Sequence, residues 1–215
     1  QFERQENRKL VPLKSKNIDT GMGLERLACI MQGKRNNFET DLFDPLLREL
    51  RGRISKGKNG DQLSLNAIVD HLRAAVVAIS DGTHPSNEGR GYVIRKLIRR
   101  AVWQGRTVGV KAPILAPMVS VAVHTLEDAY PELNQLEKSV EQTIRSEEER
   151  FQETLESGLG VLSKLLDEVS HKKKKTLAGE EVFRLYDTYG FPDELTRTIA
   201  KKAGVEMDQK GFEQL

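Results

Sequence analysis

Cysteine is nearly absent from this chain of 215 residues, and its scarcity excludes two kinds of structure. With Cys29 as the only cysteine, the chain can form no internal disulfide and no zinc site built from thiolates. Cys29 falls within the apolar pattern of a helix, so we interpret it as a small buried residue, the alternative being a nucleophile. His84, His124 and His171 show no metal-ligand spacing, and His71 lies on the inward side of a helix, so we expect no metal site.

The chain also lacks a large excess of positive or negative charge. The 34 Lys and Arg residues nearly balance the 32 Asp and Glu residues, so the net charge of +2 does not by itself indicate a nucleic-acid partner. Such a partner has to be identified from clusters of charge. Long apolar runs are missing as well: none approaches the length of a membrane span, and no signal-peptide pattern occurs. We therefore expect a soluble, cytoplasmic protein without a membrane partner, with an organellar origin left open.

The length of the chain allows one domain, or one domain with the remnant of another. It begins with Gln1 rather than methionine, which we interpret as the interior of a longer protein. Residues 2–18 are strand-like, as a short hairpin or as one long strand. Apolar spacing predicts helices over residues 24–32, 40–50, 63–79, 92–104, 114–126, 136–169, 180–189 and 195–203. The predicted fold class is mainly α, with a small β remnant at the N-terminus.

The stretch NIDTGMGLERL, residues 17–27, combines two glycines with charged residues at the start of a predicted helix. Gly21 and Gly23 leave backbone N–H groups open to a ligand, and the positive end of the helix dipole faces the same place. Arg26, in the first turn, would lean back toward the helix N-terminus and could bind a phosphate with two hydrogen bonds. Asp19 offers a carboxylate for an ammonium group. The alternative is a tight turn with Arg26 in solvent.

The predicted helix after PSNEGRGYV has a cationic side. Its apolar side is formed by Val93, Ile94, Leu97, Ile98, Ala101 and Val102. Its basic side is formed by Arg95, Lys96, Arg99 and Arg100, with Tyr92 and Trp103, and is extended by Arg90 and Arg106. No acid interrupts these six cations, and a basic face with aromatic residues suits a nucleic-acid backbone with stackable bases. A solvated helix face is the alternative.

Two further polar residues could read a base. Asn87 lies in a loop whose glycines, Gly89 and Gly91, permit sharp turns, and its amide can donate and accept at once. An ordinary turn or capping residue is the alternative for Asn87. Asp187 lies in FRLYDTYGFP, away from the apolar face of its predicted helix. A carboxylate near RNA is costly unless it accepts from a base amino group or a ribose hydroxyl, and a surface aspartate is the alternative.

Three long blocks of the sequence resemble one family, in the same order. NIDTGMGLERL resembles the third signature motif of class II aminoacyl-tRNA synthetases, in the form used by alanyl-tRNA synthetases. DGTHPSNEGRGYVIRKLIRRAV and FRLYDTYGFPDELT resemble two further blocks of the same enzymes. The resemblance covers essentially the whole chain. It implies the end of an aminoacylation domain over residues 1–55 and a helical tRNA-recognition domain over residues 56–215.

The resemblance implies roles for the residues of the first block. Arg26 matches the arginine that grips the ATP phosphates, and Gly21 and Gly23 match the glycines that line the adenylate pocket. Asp19 matches the acid that holds the ammonium group of alanine. The intact enzyme would bind ATP with magnesium, activate alanine as an adenylate and transfer it to tRNA.

The resemblance of the other two blocks implies that their residues select the tRNA. Asn87 and Asp187 match the residues that read the G·U pair in the acceptor stem of alanine tRNA. The cations implied to face that stem are Arg90, Arg95, Arg99 and Arg100. The chain is then a binding partner of this tRNA as well as a piece of the catalytic protein.

The family's remaining parts would lie outside this chain. Its first two motifs would precede Gln1, and its dimerising domain and its editing domain, with a zinc site, would follow Leu215. We therefore expect this chain to be monomeric and inactive by itself. Two alternatives have different consequences: a free-standing helical RNA-binding module needs the basic helix but not the glycine loop, and a regulatory ATP-binding domain needs the loop alone.

Overall fold

The computed structural model describes residues 2–15, 21–56, 60–171 and 175–215. Over these described residues the fold is 66% helical and has two sheets of two strands each, which confirms the mainly α class. The chain forms two compact units, Gln1–Asp44 and Pro45–Leu215. The predicted functional division at residues 55 and 56 stays a prediction.

The first unit begins with a hairpin. Strand β1 (Phe2–Arg4) pairs antiparallel with β2 (Leu10–Pro12), so of the two predicted forms the hairpin is the one observed. The turn is tight because Arg8 adopts a positive φ of 63°. Helix α1 (Leu24–Met31) follows, and a short 3-10 helix spans Asn37–Glu39.

The first unit buries little apolar surface. Leu24 and Met31 on α1 are 58% and 77% exposed, and no residue of α1 is fully buried. The predicted burial of Cys29 is wrong: its side chain is half-buried, and its thiol donates to the Lys34 carbonyl at 3.2 Å. Among the described residues of this unit, Phe43 is the one buried hydrophobic side chain.

The second unit is a helical assembly with the main core. Its longer helices are α2 (Asp44–Gly52), which starts at the unit boundary, α3 (Gln62–Ser80), α4 (Gly89–Val108), α5 (Val119–His124) and α6 (Leu133–His171). The C-terminal part contains α7 (Gly179–Tyr189), α8 (Asp193–Lys202) and α9 (Gln209–Glu213). A parallel pair of short strands, β3 (Thr176–Leu177) and β4 (Glu206–Met207), was not predicted because two-residue strands leave no periodic pattern.

Helix α3 is the central helix of this unit. Asp61 caps it by accepting from the Ser64 N–H at 2.9 Å. Its predicted inward residues Ile68, Leu72, Ala75, Val76 and Ile79 are all buried, and α3 packs chiefly on α4. Contrary to the sequence-based expectation, α3 is long and apolar enough to cross a membrane, with a mean hydropathy of 1.3. A buried apolar face of this kind is also typical of a core helix in a globular domain.

The predicted helix over residues 114–126 is wrong in its first third. Residues 116–118 form a 3-10 turn, and the α-helix starts only at Val119. The N–H groups of Ile114, Leu115 and Ala116 donate to the carboxylate of Glu148 instead of to a preceding helical turn. The segment is nevertheless buried, as predicted.

Candidate nucleic-acid interface

A groove of about 360 Å³ lies where α4, α6 and α7 meet. Its lining includes both predicted base-reading residues, Asn87 and Asp187, although they are 100 positions apart in the chain. Asn87 comes from the loop before α4, and Asp187 comes from α7. We call this the first groove; its other walls are Tyr92, Arg95, Lys96, Arg99, Thr154, Tyr186, Thr188, Tyr189, Gly190 and Pro192.

The loop that carries Asn87 is held close to the start of α4. The glycines expected in this loop, Gly89 and Gly91, belong instead to the first turn of the helix. A Cβ atom at Gly91 would lie 2.2 Å from the carbonyl oxygen of His84 and 2.3 Å from the hydroxyl of Ser86. Only glycine therefore allows the loop to lie this near to the helix. Asn87 is exposed, and its two neighbours are held in place: the Ser86 hydroxyl donates to the Glu88 carbonyl at 2.8 Å, and the Tyr92 N–H donates to the same carbonyl at 3.3 Å.

A pair of tyrosines joins α4 to α7 beside Asp187. The Tyr186 hydroxyl donates to the Tyr92 hydroxyl at 2.7 Å, and the two rings meet edge to face with centroids 6.5 Å apart. Burial, and then the bond to Tyr186, raise the pKa of the Tyr92 phenol. The Tyr92 phenol therefore stays neutral over the ordinary pH range and can hold this contact.

Arg99 does not lie on the solvent-facing basic side of α4, and that expectation is wrong. Its side chain is 5% exposed and donates through Nε to Glu147 at 2.6 Å and through Nη1 to the Gly190 carbonyl. Its guanidinium also lies 5.2 Å from the centroid of the Phe151 ring. Burial lowers the pKa of Arg99, and the charge of Glu147 opposes that change. The helical pattern of α4 could not reveal this because Glu147 belongs to α6.

The remaining cations of α4 are accessible to different degrees. Arg95 donates to Glu147 at 3.1 Å and is 25% exposed, whereas Arg100 is 52% exposed. Arg90 is exposed in the first turn. Val93, predicted on the apolar side, is 54% exposed. The basic surface is therefore narrower than the helical pattern indicated, and it borders the first groove at Arg95.

The glycine loop belongs to the first unit. Asp19 lies outside the described residues. Gly21 is exposed with open space around it, and Gly23 is the residue before α1. A Cβ atom at Gly23 would lie 3.7 Å from Cγ and Cδ of Arg26, so the exposed Arg26 side chain leans back toward the start of α1. Among the described residues, no cluster of three or more His, Cys, Asp or Glu side chains could hold a metal ion.

Two residues that hold the helices of the first groove together, Glu147 and Tyr186, were not predicted from the sequence. Glu147 stands in a charged run of α6, but it follows the buried Ile144 by three residues and precedes Phe151 by four. This spacing puts Glu147 on the apolar face of the helix. A carboxylate at such a position needs a cation or a hydrogen-bond donor beside it, so the spacing could have indicated a buried ion pair. Tyr186 gave no such signal beyond its position next to Asp187.

Comparison with known proteins adds two findings. The family model described as tRNA synthetases class II (A) matches residues 1–215. Among curated proteins, an alanine–tRNA ligase of Streptococcus mutans is 46% identical over 203 residues, or 94% of this chain. An alanine–tRNA ligase of Streptococcus pyogenes is 48% identical over 202 residues, or 93% of this chain. The chain spans 23% of the length of each of these relatives.

Proposed function

Because the chain belongs to the tRNA synthetases class II (A), we propose that it is one part of an alanine–tRNA ligase. The whole enzyme would activate alanine with ATP and transfer it to the acceptor end of alanine tRNA. The contribution proposed for Pro45–Leu215 is recognition of the acceptor stem. The observation that carries this proposal is the shared position of Asn87 and Asp187 in the first groove.

The chemistry of the first groove suits a G·U pair read from the minor groove. The minor groove of an RNA duplex is wide and shallow, and it displays base edges and ribose hydroxyls. In a wobble pair, the exocyclic amino group of guanine points into this groove and needs an acceptor. Asp187 supplies a carboxylate, and the Asn87 amide supplies both a donor and an acceptor. Both side chains are exposed, so an RNA edge can reach them.

The cations around the first groove have two proposed roles. Arg90, Arg95 and Arg100 can contact the phosphates on either side of the base pair, because their guanidinium groups are at least partly accessible. Arg99 is proposed to act through its neighbours: by binding Glu147 and the carbonyl of Gly190, it holds the end of α7 against α4 and α6. It is then a positioning residue for Asp187 rather than a phosphate ligand.

The first unit is proposed to contribute to the adenylate site. Gly21, Gly23 and Arg26 fit a phosphate group because the backbone is open there and the guanidinium leans toward the helix start. Asp19 is proposed to bind the ammonium group of alanine. Magnesium would neutralise the ATP phosphates in the intact enzyme; the described residues of this chain contain no cluster of three or more His, Cys, Asp or Glu side chains that could hold it. We propose that this chain alone does not form the adenylate, so alanine-dependent exchange between ATP and pyrophosphate should be absent.

Binding to two RNA hairpins tests the recognition role. One hairpin carries the alanine acceptor stem with its G·U pair, and the other has G·C at the same place. Asn87→Ala and Asp187→Ala should each reduce the preference for the G·U stem by about tenfold, as expected for losing one base contact. The matched controls are Asn134→Ala and Asp167→Ala, which remove exposed residues outside the groove. An equal loss of affinity for both hairpins would contradict base reading.

The second candidate function is a helical RNA-binding module without catalysis. It is favoured by one observation, that the whole first groove lies within Pro45–Leu215. Arg26→Ala in the full-length protein separates the two functions. The ligase proposal expects loss of adenylate formation, whereas the module proposal expects no effect. Failure of the chain to bind ATP at millimolar concentration would remove a regulatory ATP-binding role.

A further inference from the structure

A second groove, of about 650 Å³, shares Lys96, Arg99 and Pro192 with the first groove. It lies between the start of α3, the second half of α4 and α8. Its further lining includes Arg100, Trp103, Arg197 and Lys202. The basic side of α4 is thus divided between two grooves, which the sequence pattern presented as one face.

We propose that the second groove binds the sugar–phosphate backbone of the RNA whose base pair lies in the first groove. This inference rests on the proposed function and adds a second contact region to it. Cations outnumber acids among the accessible side chains of the lining, with Lys96, Arg100, Arg197 and Lys202 on one side of the count and Asp61 and Glu194 on the other. The partly exposed Trp103 ring offers a flat apolar surface for a ribose or an unstacked base.

The spacing along α4 suits one continuous strand. Arg95 borders the first groove, and Trp103, eight residues later, lines the second. At 1.5 Å per residue this separation is about 12 Å. One strand of a DNA duplex carries a phosphate about every 3.4 Å along the axis, so an RNA strand would cover this interval with about three to four nucleotides. The two grooves are therefore close enough for one strand to contact both.

Glu194 forms ion pairs with two of the cations that the RNA phosphates would contact. Its carboxylate lies 3.0 Å from Lys96 Nζ and 3.6 Å from Arg100 Nη1. Partial burial would raise the pKa of Glu194, but the bond to Lys96 and the charges of Lys96 and Arg100 bring it below its usual value. The carboxylate is thus ionised when RNA binds, and a phosphate must compete with it. Glu194 limits the affinity that comes from the backbone alone, which leaves more of the discrimination to the first groove.

Two neighbouring lysines give a matched test of the groove. Lys202 lines it and Lys201 does not, although both are exposed in the last turn of α8. Dissociation constants of the full chain for both hairpins are measured from about 50 to 200 mM salt. Lys202→Ala should lower the slope of log affinity against log salt by about 0.7 to 0.9 and weaken both hairpins by the same factor. Lys201→Ala should leave the slope unchanged.

Glu194→Gln gives the opposite expectation. It keeps the size of the side chain and removes the competing charge, so both hairpins should bind more tightly and the salt slope should become steeper. Weaker binding by Glu194→Gln, or equal slopes for the two lysine variants, would overturn the backbone groove. If Asn87→Ala and Asp187→Ala still lower the G·U preference in that case, the proposed function stands. A wild-type chain that binds neither hairpin would refute both.

Discussion

Single side chains of the second unit decide whether its helices meet in one arrangement. The Tyr92–Tyr186 bond joins α4 to α7, and the Arg99–Glu147 pair joins α4 to α6. Glu148 joins α6 to the segment that precedes α5. Each of these groups is polar and largely removed from water. Such groups stabilise a structure only when their partners are present, and they cost free energy when one partner is lost.

The Tyr92 phenol should make the stability of the protein depend on alkaline pH. Its folded pKa is raised above the ordinary value of 10.0, so its contribution is complete below pH 10 and is lost as pH rises through the folded pKa. Urea unfolding of the wild type should therefore show falling stability above pH 10, and Tyr92→Phe should show a smaller fall. Parallel pH profiles for the two proteins would contradict this.

Glu148 should be among the costliest side chains to remove. Its carboxylate, 1% exposed, accepts the N–H groups of Ile114, Leu115 and Ala116. Glu148→Ala leaves these buried donors without a partner and should lower the free energy of unfolding by about 3 kcal/mol. Chemical denaturation measures this difference. The control is the exposed neighbour, Glu149→Ala, which should change stability by less than about 0.5 kcal/mol.

At the scale of elements, local pattern predicted most of the helices and little of how they contact each other. The inward residues of α3 and the length of α6 followed from apolar spacing alone. The start of α5 did not, because the donors of residues 114–116 are satisfied by α6. The burial of Arg99 was not predicted either, because its partner Glu147 also belongs to α6. For the candidate site, the sequence supplied Asn87 and Asp187, but only the fold showed that one groove contains both.

Two glycines of α6 should respond in opposite ways to alanine. A Cβ atom at Gly158 would lie 2.4 Å from the Phe191 ring, whereas one at Gly160 would meet nothing within 4 Å. Gly158→Ala should therefore destabilise the protein by about 1–3 kcal/mol through overpacking. Gly160→Ala should stabilise it by about 0.5–1 kcal/mol, because alanine favours a helix interior. Thermal unfolding of the two variants measures both signs, and equal effects would contradict the close contact with Phe191.

At the scale of the whole molecule, the buried apolar residues are distributed very unevenly between the two units. All the buried hydrophobic residues of the described chain other than Phe43 lie in Pro45–Leu215. A unit that contains its own core can fold independently, and one that buries almost no apolar surface cannot.

Residues 45–215 expressed alone should therefore remain folded. We expect a single cooperative unfolding transition and the same preference for the G·U hairpin as in the complete chain. Circular dichroism during heating and the hairpin binding assay check these outcomes. Residues 1–44 alone should show no cooperative transition. Loss of cooperative unfolding in the longer piece would show that the first unit is required for its stability.

The close approach of Gly91 to His84 has a consequence for how this recognition surface can change over time. The loop is fixed by its backbone, at a distance that no side chain permits, and Asn87 takes no part in that contact. The residue at position 87 can therefore be replaced while the contact between the loop and Gly91 stays intact. Gly91, in contrast, has no tolerable replacement. Selection for a different nucleotide preference would be expected to change the residue at position 87 and to keep glycine at position 91.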